Sequence, residues 1–120
     1  MTEVAKALSD FYSRFGLPAY TENGVPVEEE LPYLTYTVPQ SAFGSSSVHQ
    51  VRLWYYGESN EEINAKADEI LTAIGRFGTM LYAGDGYIIL YPGSGTLAQN
   101  QPSDDTTRIV YINLEIKCYV

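Results

Sequence analysis

Toward the end of the chain, apolar and polar residues alternate without a break. Val110, Ile112, Leu114, Ile116, Cys118 and Val120 fall on even positions, with Tyr111, Asn113, Glu115, Lys117 and Tyr119 between them. Successive side chains of a strand point to opposite faces, so this period of two predicts a long half-buried strand over 106–120, with the chain ending inside its sheet. The start of the chain has the other periodicity. Val4, Leu8, Phe11 and Phe15 recur at helical spacing, Thr2 can cap, and Gly16 with Pro18 is a stop signal, which predicts a helix over 3–15 with an Asp10–Arg14 pair on its wet side. A second helix is predicted over 60–77. Ile63, Ala67, Ile70, Leu71, Ile74 and Phe77 form one stripe, Ser59 and Glu62 have capping-box spacing, Glu62 and Lys66 can pair, and Gly78 takes the position after the last turn.

The intervening segments read as strands and loops. Residues 17–31 hold Pro18, Gly24, Pro26 and the run Glu28-Glu29-Glu30, an extended connection with at most one short strand over 19–21 and a solvated acidic run. Strands over 33–38 and 48–56 should pair as a hairpin around a long tip containing Pro39, Gly44 and three serines. In the second of them Val51, Leu53 and Tyr55 share one face and Gln50, Arg52, Trp54 and Tyr56 the other, bulk on both sides that anticipates a sheet covered on both faces. Strands over 79–83 and 87–91 flank Gly84-Asp85-Gly86, a hairpin turn, and residues 92–105 form a long polar loop. The order is helix, two strands, helix, three strands. It predicts one α+β domain across residues 1–120: a single antiparallel sheet of about five strands, with room for mixed pairing, and two helices packed on it.

Composition narrows the chemistry. With 45% apolar and 18% charged residues the chain has a globular balance, and no run reaches the ~18 uninterrupted apolar residues of a membrane span. The N-terminal stretch carries Glu3, Lys6 and Asp10 in a helical pattern rather than a basic segment before an apolar block, so no signal peptide is expected and synthesis in the cytosol is. A net charge of −8 repels phosphate backbones. The single cysteine, Cys118, sits among the apolar positions of the last strand and reads as a small hydrophobe. Tyrosine is the exception to an ordinary composition: 11 Tyr stand against 4 Phe and 1 Trp, and tyrosine joins a large contact area to a polar tip, which suits interfaces.

No catalytic pattern survives inspection. His49 is the single histidine, so no two-imidazole site exists, and it reads as a strand histidine on a polar face. Ser45, Ser46 and Ser47 lie near it without a Gly-x-Ser-x-Gly elbow. Gly93-Ser94-Gly95-Thr96 lacks the lysine of a phosphate loop, and neither the Glu28–Glu30 run nor Asp104-Asp105 has the ligand spacing of a calcium loop. Trp54, Tyr55 and Tyr56 beside Arg52 could stack bases, but the positive groove that accompanies such platforms is missing, so sheet packing or a subunit contact fits the charge better.

The order Gly16-Leu17-Pro18-Ala19-Tyr20, Val25-Pro26, then Leu31-Pro32-Tyr33-Leu34-Thr35-Tyr36 leading into a strand, followed by the Trp54-Tyr55 strand and a capped helix, resembles small tail-terminator and tail-completion proteins of long-tailed bacteriophages. The resemblance implies a structural, non-enzymatic subunit without cofactor or metal. It would form a ring, commonly a hexamer, that caps the tail tube where it meets the head. Partners would be further copies, the tail-tube protein and the head-connector protein, with DNA passing through a lumen without specific binding and no membrane. The setting would be the tail or neck of a virion, after synthesis in the host bacterial cytoplasm. On this reading the contact residues are Ser41, Phe43, Ser45, Ser46, Ser47, Trp54, Tyr56, Gly93, Ser94, Gly95, Gln99, Gln101, Asp104 and Asp105. A head-closure or connector subunit of the neck is the nearest alternative. A small-ligand-binding α+β module is the alternative of another class, and it would be a monomer that its ligand stabilises.

Overall fold

The C-terminal alternation forms a strand that organises everything else. The computed structural model describes residues 2–39, 44–56, 61–92, 99–100 and 107–120. Strands β1 (Ala19–Thr21), β2 (Tyr33–Tyr36), β3 (Ser46–Tyr56), β4 (Thr79–Ala83), β5 (Gly86–Pro92), β6 (Gln99–Asn100) and β7 (Thr107–Tyr119) join helices α1 (Thr2–Tyr12) and α2 (Glu61–Ile74). The strand order is β1-β2-β3-β7-β5-β4, with β6 paired to β7 beyond the end of β5. Only β1 and β2 are parallel; every other pair is antiparallel, so the sheet is mixed and the fold α+β. β7 is central, paired with β3 from Thr107 to Lys117 and with β5 from Leu114 to Tyr119.

One core lies on one face of this sheet. Val110, Ile112, Leu114, Ile116 and Cys118 of β7 are buried with Val51 and Leu53 of β3, Leu34 and Tyr36 of β2, and Ile88 and Leu90 of β5. Val4, Leu8, Phe11 and Tyr12 of α1 and Ile63, Ala67, Ile70 and Ile74 of α2 complete the same cluster. Both helices therefore cover the same side. α1 touches β4 and β1, the two ends of the strand order, so the sheet curls around it. The expectation of a sheet covered on both faces is corrected: among the described residues the second face carries no helix, and the bulk there is largely aromatic and polar, with Val48, Met80, Ile89 and Ile109 among it.

The helix ends differ from the sequence reading in physically simple ways. α1 tightens into a 3-10 turn over Ser13–Phe15 and stops at Gly16, whose φ of 79° is left-handed. α2 ends at Ile74 rather than at 77, because Gly75 at φ 81° already breaks the helix, its N–H donating to the Leu71 carbonyl at 2.9 Å. Phe77 consequently leaves the apolar stripe and stands 91% exposed. Lys66 does not pair with Glu62; it reaches the Phe15 carbonyl and the Glu69 carboxylate, both at 2.6 Å, tying α2 to the end of α1. Arg14 lies over the Phe11 ring, 5.6 Å from its centroid, rather than on Asp10. The proposed caps at Thr2 and Ser59 lie outside the described side chains. The β4–β5 hairpin turns through Gly84 and Asp85, with φ +60° at Gly84 and no positive φ at Asp85, the II′ pattern that suits the strand twist.

Candidate interaction face

Cross-strand register sorts the tyrosines by face. Partners across a sheet share a side, so Tyr33 with Trp54, Arg52 with Tyr111, Tyr87 with Tyr119, Tyr91 with Glu115 and Tyr82 with Tyr87 all stand on the helix-free face, together with Tyr20 and Tyr56. Only Tyr12, Tyr36 and Tyr55 belong to the core. The tyrosine excess of the composition is thus spent on one surface.

That surface has two aromatic groups with a polar chain between them. At the β1 side Trp54 stacks on Tyr33 at 6.0 Å between centroids, Tyr20 meets Tyr33 edge-on at 6.2 Å, and the indole N–H donates to Thr35 Oγ1 at 3.2 Å. At the β5 side Tyr87 and Tyr119 stack at 4.9 Å. Arg52 occupies the middle. Its guanidinium lies 3.3 Å from Glu22 and 5.3 Å above the Tyr111 ring, its Nε donates to Gln50 at 2.9 Å, and the Gln50 amide donates to Asn113 at 3.0 Å. These groups are half-exposed, so each polar contact orients side chains more than it stabilises the fold. The Tyr20 hydroxyl donates to Glu29, which raises the phenol above its ordinary value and pins the acidic connection to the edge of the face.

The sequence candidates distribute unevenly over this picture. Trp54 and Tyr56 are on the face, Tyr56 strongly exposed. Ser46 is there too, 2.9 Å from the Tyr91 hydroxyl, but at the far end of β3 from Tyr56. Ser46 and Ser47 are strand residues paired with Lys117 and Ile116, not part of a loop tip, since β7 is long enough to hold them; Ser45 is exposed just before the strand. Gln99 has its backbone paired with Tyr111 in β6. Ser41, Phe43, Gly93, Ser94, Gly95, Gln101, Asp104 and Asp105 lie outside the described residues. Sequence reasoning placed Arg52 on one face with Trp54 and Tyr56 but missed Tyr20, Tyr33, Tyr111 and Tyr119 as members of the same surface. Strand parity already separated Tyr111 and Tyr119 from the buried even positions of β7; register alone could join them to Arg52 and Tyr87.

His49 requires correction. It is not on a polar face: it follows the parity of Val51 and Leu53, is completely buried, and stacks on Tyr12 at 5.8 Å. Nε2 lies 2.9 Å from the Tyr12 hydroxyl and Nδ1 3.3 Å from Thr37 Oγ1, so a neutral ring can accept at one nitrogen and donate at the other. Burial pushes its pKa down to about 4, only partly opposed by the bond to Thr37, and the same burial drives the Tyr12 phenol far up. The ring is a core bolt between α1 and β3. Cys118 is also buried in the core, which raises its thiol. Among the described residues no group of three or more histidines, cysteines and carboxylates is placed to hold a metal ion, and no helix is long and apolar enough to cross a membrane.

No family model matches this chain, and no curated protein matches it. Among solved structures, a chain that carries no functional description is similar over 98% of this chain and 91% of its own length, with a TM-score of 0.62 and 21% identity. That likeness establishes a shared fold.

Proposed function

We propose that the chain is a structural subunit of a long-tailed phage virion, a ring-forming tail terminator or completion protein that caps the tail tube and joins it to the head. The observation that carries this reading is the helix-free face, where eight of the eleven tyrosines gather beside Trp54. Aromatic side chains with polar tips give a partner large contact area and wet hydrogen bonds together, the composition of protein–protein contacts rather than of a catalytic cleft. The polar chain from Glu22 to Asn113 holds Arg52 over the Tyr111 ring before a partner arrives. The motif order around Pro18, Pro26, Pro32 and Trp54 supports the family, and the net charge of −8 suits a lumen that passes DNA without holding it.

The test is in vitro joining of heads and tails with purified protein. Trp54→Ala combined with Tyr111→Ala should leave a folded protein that no longer caps tails. Undiminished joining by that variant would remove the face from the function. A monomer at every concentration, with and without tail tubes, would remove the ring.

A further inference from the structure

One buried hydroxyl of the core has no partner. Tyr55, near the end of β3, is 8% exposed and packs within the core cluster, yet its phenol oxygen makes no hydrogen bond to any described residue. Buried polar groups are nearly always bonded, so an orphaned oxygen at the wall of a cavity calls for a polar occupant. The tip of Tyr55 opens on a crevice of about 410 Å³ between β3 and α2, whose other wall is Glu62, Ala65, Lys66 and Glu69. Those four stand at positions i, i+3, i+4 and i+7 and share one stripe of the helix. Ala65, in the middle of the stripe, contributes only a methyl group, which leaves the space open.

Charge in the crevice is unbalanced. Lys66 is engaged at its rim, where Nζ donates to the Phe15 carbonyl and to Glu69, each at 2.6 Å. Glu62 is exposed and has no ion pair among the described residues. Arg108 stands opposite Tyr55 across the β3–β7 ladder, but it already has a partner and is not part of the wall. Burial, and after it the fields of Glu62 and Glu69, raise the phenol above its ordinary value, which sets both carboxylates near it.

The unmet acceptors are thus the Glu62 carboxylate and the Tyr55 oxygen, and their complement is a cation with several donors. A guanidinium is planar, permanently charged and weakly hydrated; it forks onto a carboxylate with two N–H groups and keeps others for a phenol oxygen. An ammonium is a compact, strongly hydrated charge without that fork. A divalent metal ion lacks ligands here, since no third carboxylate, histidine or cysteine stands with these two among the described residues.

We propose that this crevice binds a guanidinium group, as an arginine side chain of a partner protein presents it. Glu62 takes the fork, the Tyr55 oxygen accepts a further N–H, and the Ala65 methyl lies against the stem. The site is on the helix-covered side of the sheet, away from the aromatic face, and stands independently of the virion reading.

Titration of the full, isotope-labelled chain with N-acetyl-arginine methylamide, followed by amide NMR shifts, tests it. Saturable shifts confined to the surroundings of Tyr55 and residues 62–69 are expected, with a Kd on the order of 1 mM. The citrulline analogue, which keeps the shape and loses the charge, should bind at least about tenfold more weakly. Tyr55→Phe keeps the ring and deletes only the orphaned oxygen, and Glu62→Gln keeps the shape and deletes the charge; each should weaken binding roughly tenfold with the rest of the spectrum unchanged. The lysine analogue should bind more weakly than the arginine one, and equal or tighter binding of lysine would overturn the guanidinium assignment. Shifts that scatter over the surface without saturating, or no shifts at all, would overturn the site. So would parent-like binding by either variant, because attraction to the net charge of −8 needs neither the phenol nor Glu62 in particular. Glu62 is exposed, so its variant reads the site even where Tyr55→Phe disturbs the core.

Discussion

The two faces of one sheet use the same residue types to opposite ends. On the helix-covered face Tyr36 and Tyr55 sit under α1 and α2, their phenols raised chiefly by burial, and Tyr12 locks His49 at the centre. On the open face Tyr33, Tyr87, Tyr111 and Tyr119 stack on neighbours or under Arg52 while remaining half in water. The lesson is that tyrosine content does not define a role. Position parity assigns each ring to a face, and the helices decide which face becomes core.

Substitutions that separate the faces should differ first in size. Ile112→Ala, at the centre of β7 and completely buried, should cost about 2–5 kcal/mol, read as a fall in the denaturant midpoint. Trp54→Ala on the open face should cost much less stability, and an equal loss would show that the open face is a second core.

The next effect is pH. The His49 pKa of about 4 in the fold lies below its ordinary 6.5, so between these values the unfolded chain binds the extra proton. Stability contributed by the neutral ring is whole above pH 6.5, declines as pH falls toward 4, and is then lost, a swing of about 3 kcal/mol. Urea midpoints across that range should rise with pH, and His49→Gln should flatten the rise; an equal slope in the variant would place the titrating group elsewhere. Tyr12→Phe should cost about 1–3 kcal/mol by leaving Nε2 without its hydrogen-bond partner.

The smallest effect sharpens the comparison most. Glu22→Gln on the open face breaks a half-exposed ion pair and should change stability by less than about 1 kcal/mol. If the face works through fixed ring orientation, the same change should still weaken tail capping measurably.

Much of the fold was legible because it is written in short-range periodicity. The alternation of β7, the stripe of α1, the short β1 over Ala19–Thr21 and the glycine turn of the β4–β5 hairpin all follow from local backbone and side-chain geometry. Where competing local signals met, the reading failed at the boundary: Gly75 and Gly78 both could end α2, and the nearer one did. The interaction face was legible only in pieces. Trp54, Tyr56 and Arg52 were visible as bulk on one strand, but their union with Tyr33 and Tyr111 depends on which strands are neighbours.

Amino-acid order alone therefore determined the elements, their faces and the tyrosine excess, since each depends on contacts a few residues long. Tertiary structure alone decided that β7 sits at the centre, that both helices take one side, and that β4 is left as an edge. Those outcomes come from pairings between residues far apart in the chain, and no local pattern encodes which distant strand will be the partner.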